Sequence, residues 1–387
     1  MYDIIIVGGG ISGLYLYYHL INTDKKIMLL EKNSRVGGRI YQYEEHLLNE
    51  KYSFPAGAAR YNKNHNRVIK LLKELKMYDK NDKGFSSAVE FIDSKNEFSK
   101  KYVNKNGFYY VDKVLLQSKK YTKEELQKYT FKEFSYKVLP KKDVEYMLIA
   151  SGYSGQLNEM NMYDAYNLFE KGIRNDIQYY GGKFNMIVEK IMKYLYNNKA
   201  EIVLNSMVRK VVNIKEGYQI ITNDGEYKTK QIILCIPKDN LLKLSILKPY
   251  FELLKNTITC KPLCRTYAIF KKKDIWFKDL DKKIVTNNEL RYIIPMNSET
   301  GLIMISYTDY LYTQFWKKIK NNQNLLKKSI VQLVNKTFNI NINEPEKVYV
   351  FYWDCGVSYW NKGYNSDVVS KQIIEPKKKF IYCWRKL

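Results

Sequence analysis

A short apolar strand, a glycine-rich turn and a helix follow one another at the start of this chain, and that order constrains the fold more than any other feature. Tyr2–Val7 is a run rich in β-branched residues, the pattern of a strand covered on both faces. Gly8, Gly10 and Gly13 come next in G-x-G-x-x-G spacing, with Ser12 inside the turn. A helix is predicted from Ile11 to Ile21, with Leu14, Tyr18 and Ile21 at helical spacing. Asn22–Asp24 turns the chain, and Lys26–Leu30 reads as a second strand ending at Glu31. Together these make a complete β-α-β unit. Its first glycine permits the tight turn, the second lets a pyrophosphate approach the backbone, and the third allows close helix–strand packing. The helix N-terminus offers unpaired N–H groups to phosphate, and Glu31 stands where a carboxylate would accept hydrogen bonds from a ribose.

The rest of the composition sets boundaries. A chain of 387 residues is more than one ordinary core holds, so two lobes are expected. Hydrophobic residues at 45% and aromatics at 15% exclude a disordered or low-complexity chain. No apolar run approaches the ~18–20 residues of a membrane span. Met1–Val7 lacks a basic region and a small-residue cleavage site, so the expected location is the cytoplasm or another intracellular compartment, without secretion. The balance of 65 basic against 40 acidic residues gives +25 and raises nucleic acid or an anionic membrane as partners. The charge is spread, however, with short runs such as Lys271–Lys273 and Lys377–Lys379 and no zinc-finger or RNP-type motif. Abundant Lys, Asn, Ile and 36 Tyr are what an AT-rich genome supplies, so nucleic-acid binding is the weaker reading. Five cysteines are too few and too scattered for a disulfide framework, and three distant histidines offer no ligand spacing, so no metal site is expected.

The stretch after the acid, Glu31-Lys32-Asn33-Ser34-Arg35-Val36-Gly37-Gly38-Arg39, resembles the glutathione-reductase-type FAD proteins and, within them, the flavin amine oxidase superfamily. The resemblance implies an α/β, two-lobed FAD-binding fold whose substrate lobe combines a mixed sheet with helices. It puts Arg39 against the FAD phosphates and Gly38 in the low turn beside the flavin, with Lys32 in the same nucleotide-binding set. Gly57-Ala58-Ala59-Arg60 looks like the G-A-x-R segment of L-amino-acid oxidases, in which small residues let the backbone run along the flavin and the arginine grips the substrate carboxylate. A guanidinium fork suits that task, because it pairs two donors with two oxygens and keeps its charge. Arg60 as a phosphate-binding or structural arginine is the other reading.

Further along, the resemblance pairs the backbone of Val208 with the adenine. It makes Arg265 the nearest basic candidate for the position beside flavin N5, usually a lysine. It reads the aromatic stretch containing Trp353 and Trp360 as a wall of the site. Segments 1–65, 180–250 and 340–387 are expected to build the FAD lobe, and 66–179 and 251–339 the substrate lobe. Phe380–Leu387 has the look of the last FAD-lobe strand, but Trp384-Arg385 stand where Gly-Glu is expected, and the family's final FAD segment has no counterpart here. No equivalent is found for the cysteine that some relatives bond to FAD, so the cofactor implied is noncovalent FAD. The activity implied is oxidation of an amino group, foremost oxidative deamination of an L-amino acid, with a small-molecule amine or amino acid and molecular oxygen as partners and a homodimer allowed. A mono- or polyamine oxidase, and an inactive flavoprotein remnant that binds rather than catalyses, are the alternatives.

Overall fold

The computed structural model describes residues 1–85, 88–172, 178–181, 184–374 and 380–382. Two sheets organise them. The first has seven strands, and its parallel part runs in the order Glu201–Val203, Ile27–Leu30, Tyr2–Val7, Glu226–Leu234, with Phe380–Tyr382 beside the last of these. An antiparallel extension, Gly217–Ile221 and Lys210–Ile214, pairs with the first half of Glu226–Leu234. Ile4, Ile5, Ile6 and Val7 are all buried because helices cover both faces of this sheet. Helices Ile11–Leu20 and Phe184–Asn197 bury Leu14, Tyr17, Ile187, Ile191 and Leu195 on one face. Residues of 241–254 and Val369, Ile373 and Phe380 close the other.

The second sheet has six strands in the order Lys347–Trp360, Ile258–Ile269, Leu302–Asp309, Tyr292–Asn297, Lys283–Thr286, Val89–Ile92. It is antiparallel except for its last pair. Between the first two segments assigned to the FAD lobe, helices occupy most of 100–171, and Thr122/Glu125 and Thr130/Glu133 form reciprocal capping boxes that start two of them. Their apolar faces meet the sheet through Phe108, Tyr146, Phe169 and Tyr292.

Sheet membership divides the chain differently from the expected segments in two places. The hairpin Gln42–Leu47/Glu50–Pro55 buries Tyr52 and Phe54 against Tyr267, Ile269 and Tyr349 of the second sheet. Residues 347–360 also belong to that sheet. Of 340–387, therefore, the described part that joins the first sheet is helix Ser366–Ile374 and strand Phe380–Tyr382. Trp384, Arg385 and Cys383 lie outside the described residues, as do Gly182 and Lys377–Lys379. No described helix is long and apolar enough to cross a membrane.

Candidate functional site

The glycine turn sits at the C-terminal tip of the first parallel strand, where an α/β sheet of this type opens its ligand crevice. Gly8 adopts φ +106°, and a Cβ there would lie 2.6 Å from the Cys235 carbonyl oxygen. A Cβ on Gly13 would come within 2.0 Å of the Gly8 carbonyl oxygen, so the helix can cross the strand only with glycine at that position. Gly10 is different: a Cβ there meets nothing within 4 Å. It caps helix Ile11–Leu20 with no side-chain bond, so no cap side chain covers the helix N-terminus, whose first turn contains Ser12. This is the cradle a diphosphate requires, and the residues fit a dinucleotide.

The acid closes the turn. Glu31, only 6% exposed, accepts hydrogen bonds from the Gly9 amide at 2.7 Å and from the Asn33 amide and side chain at 2.9 and 2.7 Å. Lys32 beside it is exposed. The Glu31 carbonyl accepts from the Ser206 amide, and Val208, two residues on, packs against the core of the first lobe.

The second motif turns back over the first. The Gly37 amide donates to the Gly9 carbonyl at 2.8 Å, and a Cβ on Gly38 would sit 3.2 Å from Gly10 Cα. Arg35 fastens this turn by donating to the Gly38 and Val36 carbonyls while lying 4.2 Å from the Tyr41 ring centre. Arg39 reaches across to the long strand of the second sheet and donates to the carbonyls of Gly356 at 2.7 Å and Cys355 at 3.3 Å. The Arg39 carbonyl in turn accepts from the Ala58 amide. A Cβ on Gly57 would fall 1.8 Å from that oxygen, so the Gly57-Ala58-Ala59 segment needs its glycine to run against the turn. Arg265 touches the same segment: it donates to the Pro55 carbonyl at 3.1 Å, and its Nε is buried without a partner.

Arg60 leaves this segment for the centre of the second lobe. Its strand, Arg60–Asn62, pairs with Tyr179–Gly181. The guanidinium donates to the Tyr153 hydroxyl at 2.8 Å and lies 4.4 Å from the Tyr179 ring centre. The Tyr153 ring lies 5.3 Å from that of Tyr292, which lies 6.1 Å from that of Tyr307. Burial works against the charge of Arg60, but the phenols of Tyr153, Tyr179, Tyr307 and Tyr292 work the other way, and the net displacement of its pKa is upward. Burial raises the pKa of Tyr179 and Tyr292 and pushes Tyr307 up to about 12, so these rings stay neutral at physiological pH. A permanent cation thus stands inside a box of neutral phenols.

Sequence reasoning did not find that box. It also missed Lys283, whose ammonium lies 5.1 Å from the Phe85 ring centre and 6.0 Å from that of Tyr179. Burial, and then the charge of Arg60, bring its pKa down to about 8. Between pH 8 and the ordinary value of 10.5 the unfolded chain therefore holds a proton that the folded chain has released, and Lys283 adds stability as pH rises through that window. Comparing melting temperatures of wild type and Lys283→Met across pH 7–10.5 tests this. The variant's advantage is expected to be largest near pH 7 and to shrink towards pH 10.5.

Trp360 is placed otherwise than its proposed role requires. Successive residues of a strand face opposite sides, and here Tyr359 joins the core that holds Tyr153 and Tyr292. Trp360 packs with Ile258 and Val369 on the first lobe. The aromatic residue of this pair that faces the box is Tyr359. The cysteines also depart from expectation in one respect: Cys260 and Cys355 form a disulfide between neighbouring strands, while Cys235 and Cys264 are not disulfide-bonded. Asp239 lies beside the bonded pair, but sulfurs joined to each other are not thiolate ligands.

Residues 6–75 match the model of the NAD(P)-binding Rossmann-like domain. The chain is 54% identical over 44 residues to (S)-6-hydroxynicotine oxidase of Paenarthrobacter nicotinovorans, covering 11% of this chain and 10% of that one. It is 36% identical over 75 residues to the flavin-containing amine oxidase A of Equus caballus, covering 19% and 14%. It is 38% identical over 80 residues to achacin of Lissachatina fulica, covering 20% and 15%. These matches thus span no more than about a seventh of the curated relatives' length. The fold as a whole superimposes on a putrescine oxidase double mutant redesigned in cofactor binding, with a TM-score of 0.74 at 13% identity, covering 98% of this chain and 92% of that one. Residues 6–75 thus carry an NAD(P)-binding Rossmann-like unit, and the fold as a whole is that of the putrescine oxidase structure.

Proposed function

We propose that this chain is an FAD-dependent oxidoreductase acting on C–N bonds, and that its substrate is an L-amino acid. The observation that carries the second half is Arg60, a permanent cation held among neutral phenols on the strand that leaves the Gly57–Ala59 segment. A carboxylate is the ligand that such a guanidinium binds most strongly, through two parallel hydrogen bonds in a site of low polarity. The phenols exclude water and offer flat faces to the rest of the substrate.

For the cofactor, the Gly10 space and the helix N-terminus beside Ser12 would hold the diphosphate. Glu31 would accept from the ribose, the Val208 backbone would meet the adenine, and Gly38, Arg39 and Gly57–Ala59 would lie along the flavin side of the cleft. Bound noncovalently, FAD supplies hydride acceptance from the carbon bearing the amine and return of the electrons to oxygen, yielding hydrogen peroxide and an imine that hydrolyses to a keto acid and ammonia. The chain's own contribution is orientation: Arg60 fixes the carboxylate, and Arg265, anchored on Pro55, adds positive charge along the wall near the same segment.

A peroxide-release screen of FAD-loaded protein across L-amino acids and mono-, di- and polyamines tests the reading. Turnover of amino acids supports it. Turnover of amines alone transfers the protein to the amine-oxidase reading. Purified protein that stays colourless with added FAD supports the remnant.

A further inference from the structure

The Cys260–Cys355 disulfide stands at an interruption in the second sheet. Strands Ile258–Ile269 and Lys347–Trp360 pair in register up to Lys261↔Val357 and resume at Leu263↔Trp353. Asp354, Cys355 and Gly356 therefore bulge opposite the single residue Pro262, which has no amide hydrogen to give the ladder. Gly356 fits only without a side chain, since a Cβ would lie 2.3 Å from Leu263 Cβ. Beside the exposed Lys317–Asp354 ion pair, two contacts tie the bulge to neighbouring elements. One is the disulfide, with Cα atoms 5.1 Å apart. The other is Arg39, which donates to the Cys355 and Gly356 carbonyls. Both sulfur-bearing residues are partly accessible, so a small reductant can reach them.

We propose that this disulfide is the positioning element for Arg39, so that its reduction loosens the protein's hold on its dinucleotide. The step is an exchange: a dithiol reductant gives two hydrogens and two electrons, leaving Cys260 and Cys355 as thiols and itself as a disulfide. The freed bulge then no longer presents two fixed carbonyls, and Arg39 loses the partners that hold its fork in place. The inference rests on the FAD reading above, because the dinucleotide whose binding changes is FAD.

The test measures FAD affinity of apo-protein by calorimetry, before and after reduction with excess dithiothreitol and after reoxidation, with free thiols counted. Reduction is expected to expose two further thiols and weaken FAD binding about tenfold or more, and reoxidation to restore both. The double variant C260S/C355S should bind FAD as the reduced protein does and ignore the reductant. Arg39→Met should bind weakly and equally in both states, a signature that a merely structural disulfide would not produce. Equal affinity in the oxidised and reduced wild type, or an unaltered response in Arg39→Met, overturns the inference while leaving the FAD reading intact. Absence of FAD binding in every state overturns the FAD reading, and the inference falls with it.

Discussion

Gly10→Val yields a folded protein that no longer binds FAD. A Cβ at this position meets no atom within 4 Å, so the substitution strains nothing in the chain, yet its methyl groups occupy the space where the phosphates belong. Hydrogen bonds to charged groups contribute about 1.5–3 kcal/mol each. Losing two amide contacts to the diphosphate therefore weakens binding by at least ~100-fold. The control is three residues along: Gly13→Ala puts a Cβ 2.0 Å from a backbone oxygen that cannot move without parting the helix from the strand. Overpacking of that kind costs about 1–3 kcal/mol, and the protein should melt several degrees lower. Calorimetry of FAD binding and thermal melts of both apo-variants separate the effects. Normal FAD affinity in Gly10→Val would remove the basis for a nucleotide in this crevice.

Arg60→Met should abolish recognition of carboxylates without unfolding the second lobe. Methionine fills much of the same volume, and removing a buried charge together with its desolvation cost leaves stability near that of the parent. Among the described residues, the hydroxyl of Tyr153 loses its donor. With two charge-assisted hydrogen bonds gone, affinity for a carboxylate ligand falls by about 100–1,000-fold. FAD affinity should be unchanged, because the Arg60 guanidinium is held by Tyr153 and Tyr179 rather than by the glycine turns. The readout is the perturbation of the bound flavin spectrum by a simple aliphatic carboxylate. Undiminished carboxylate binding in the variant would return Arg60 to the structural role.

What was legible in the sequence was local. The strand, turn, helix, strand and acid are contiguous, and each glycine's constraint comes from neighbours within the same unit, so the spacing carried the geometry. The turn from Glu31 to Arg39 was legible as a motif for the same reason, while the part Arg35 plays in fastening it came from the structure. The phenol box was not. Tyr153, Tyr179, Tyr292 and Tyr307 come from four separate elements, and in a chain with 36 tyrosines no single one stands out. Lys283 joins them through the sheet that carries its strand, a relation that periodicity does not express. Tyr359 and Trp360 face different cores because one residue of strand phase reverses the face, which an aromatic stretch does not show from sequence. Pairing of Cys260 with Cys355 is a matter of register across a bulge, and spacing along the chain could not supply it.

The parallel sheet of the first lobe is completed by a strand distant in sequence: Phe380–Tyr382 lies against Ile232–Leu234, one strand away from Tyr2–Val7. A ribosome delivers that strand after every other strand of this sheet. Until it arrives, the upper half of Glu226–Leu234 keeps an open row of amides and carbonyls, and Phe380 is missing from the apolar layer beneath it. Such an edge is a template for pairing with other chains. Yield of soluble protein in cells should accordingly hinge on translation reaching residue 382 promptly, with prematurely terminated chains collecting in aggregates.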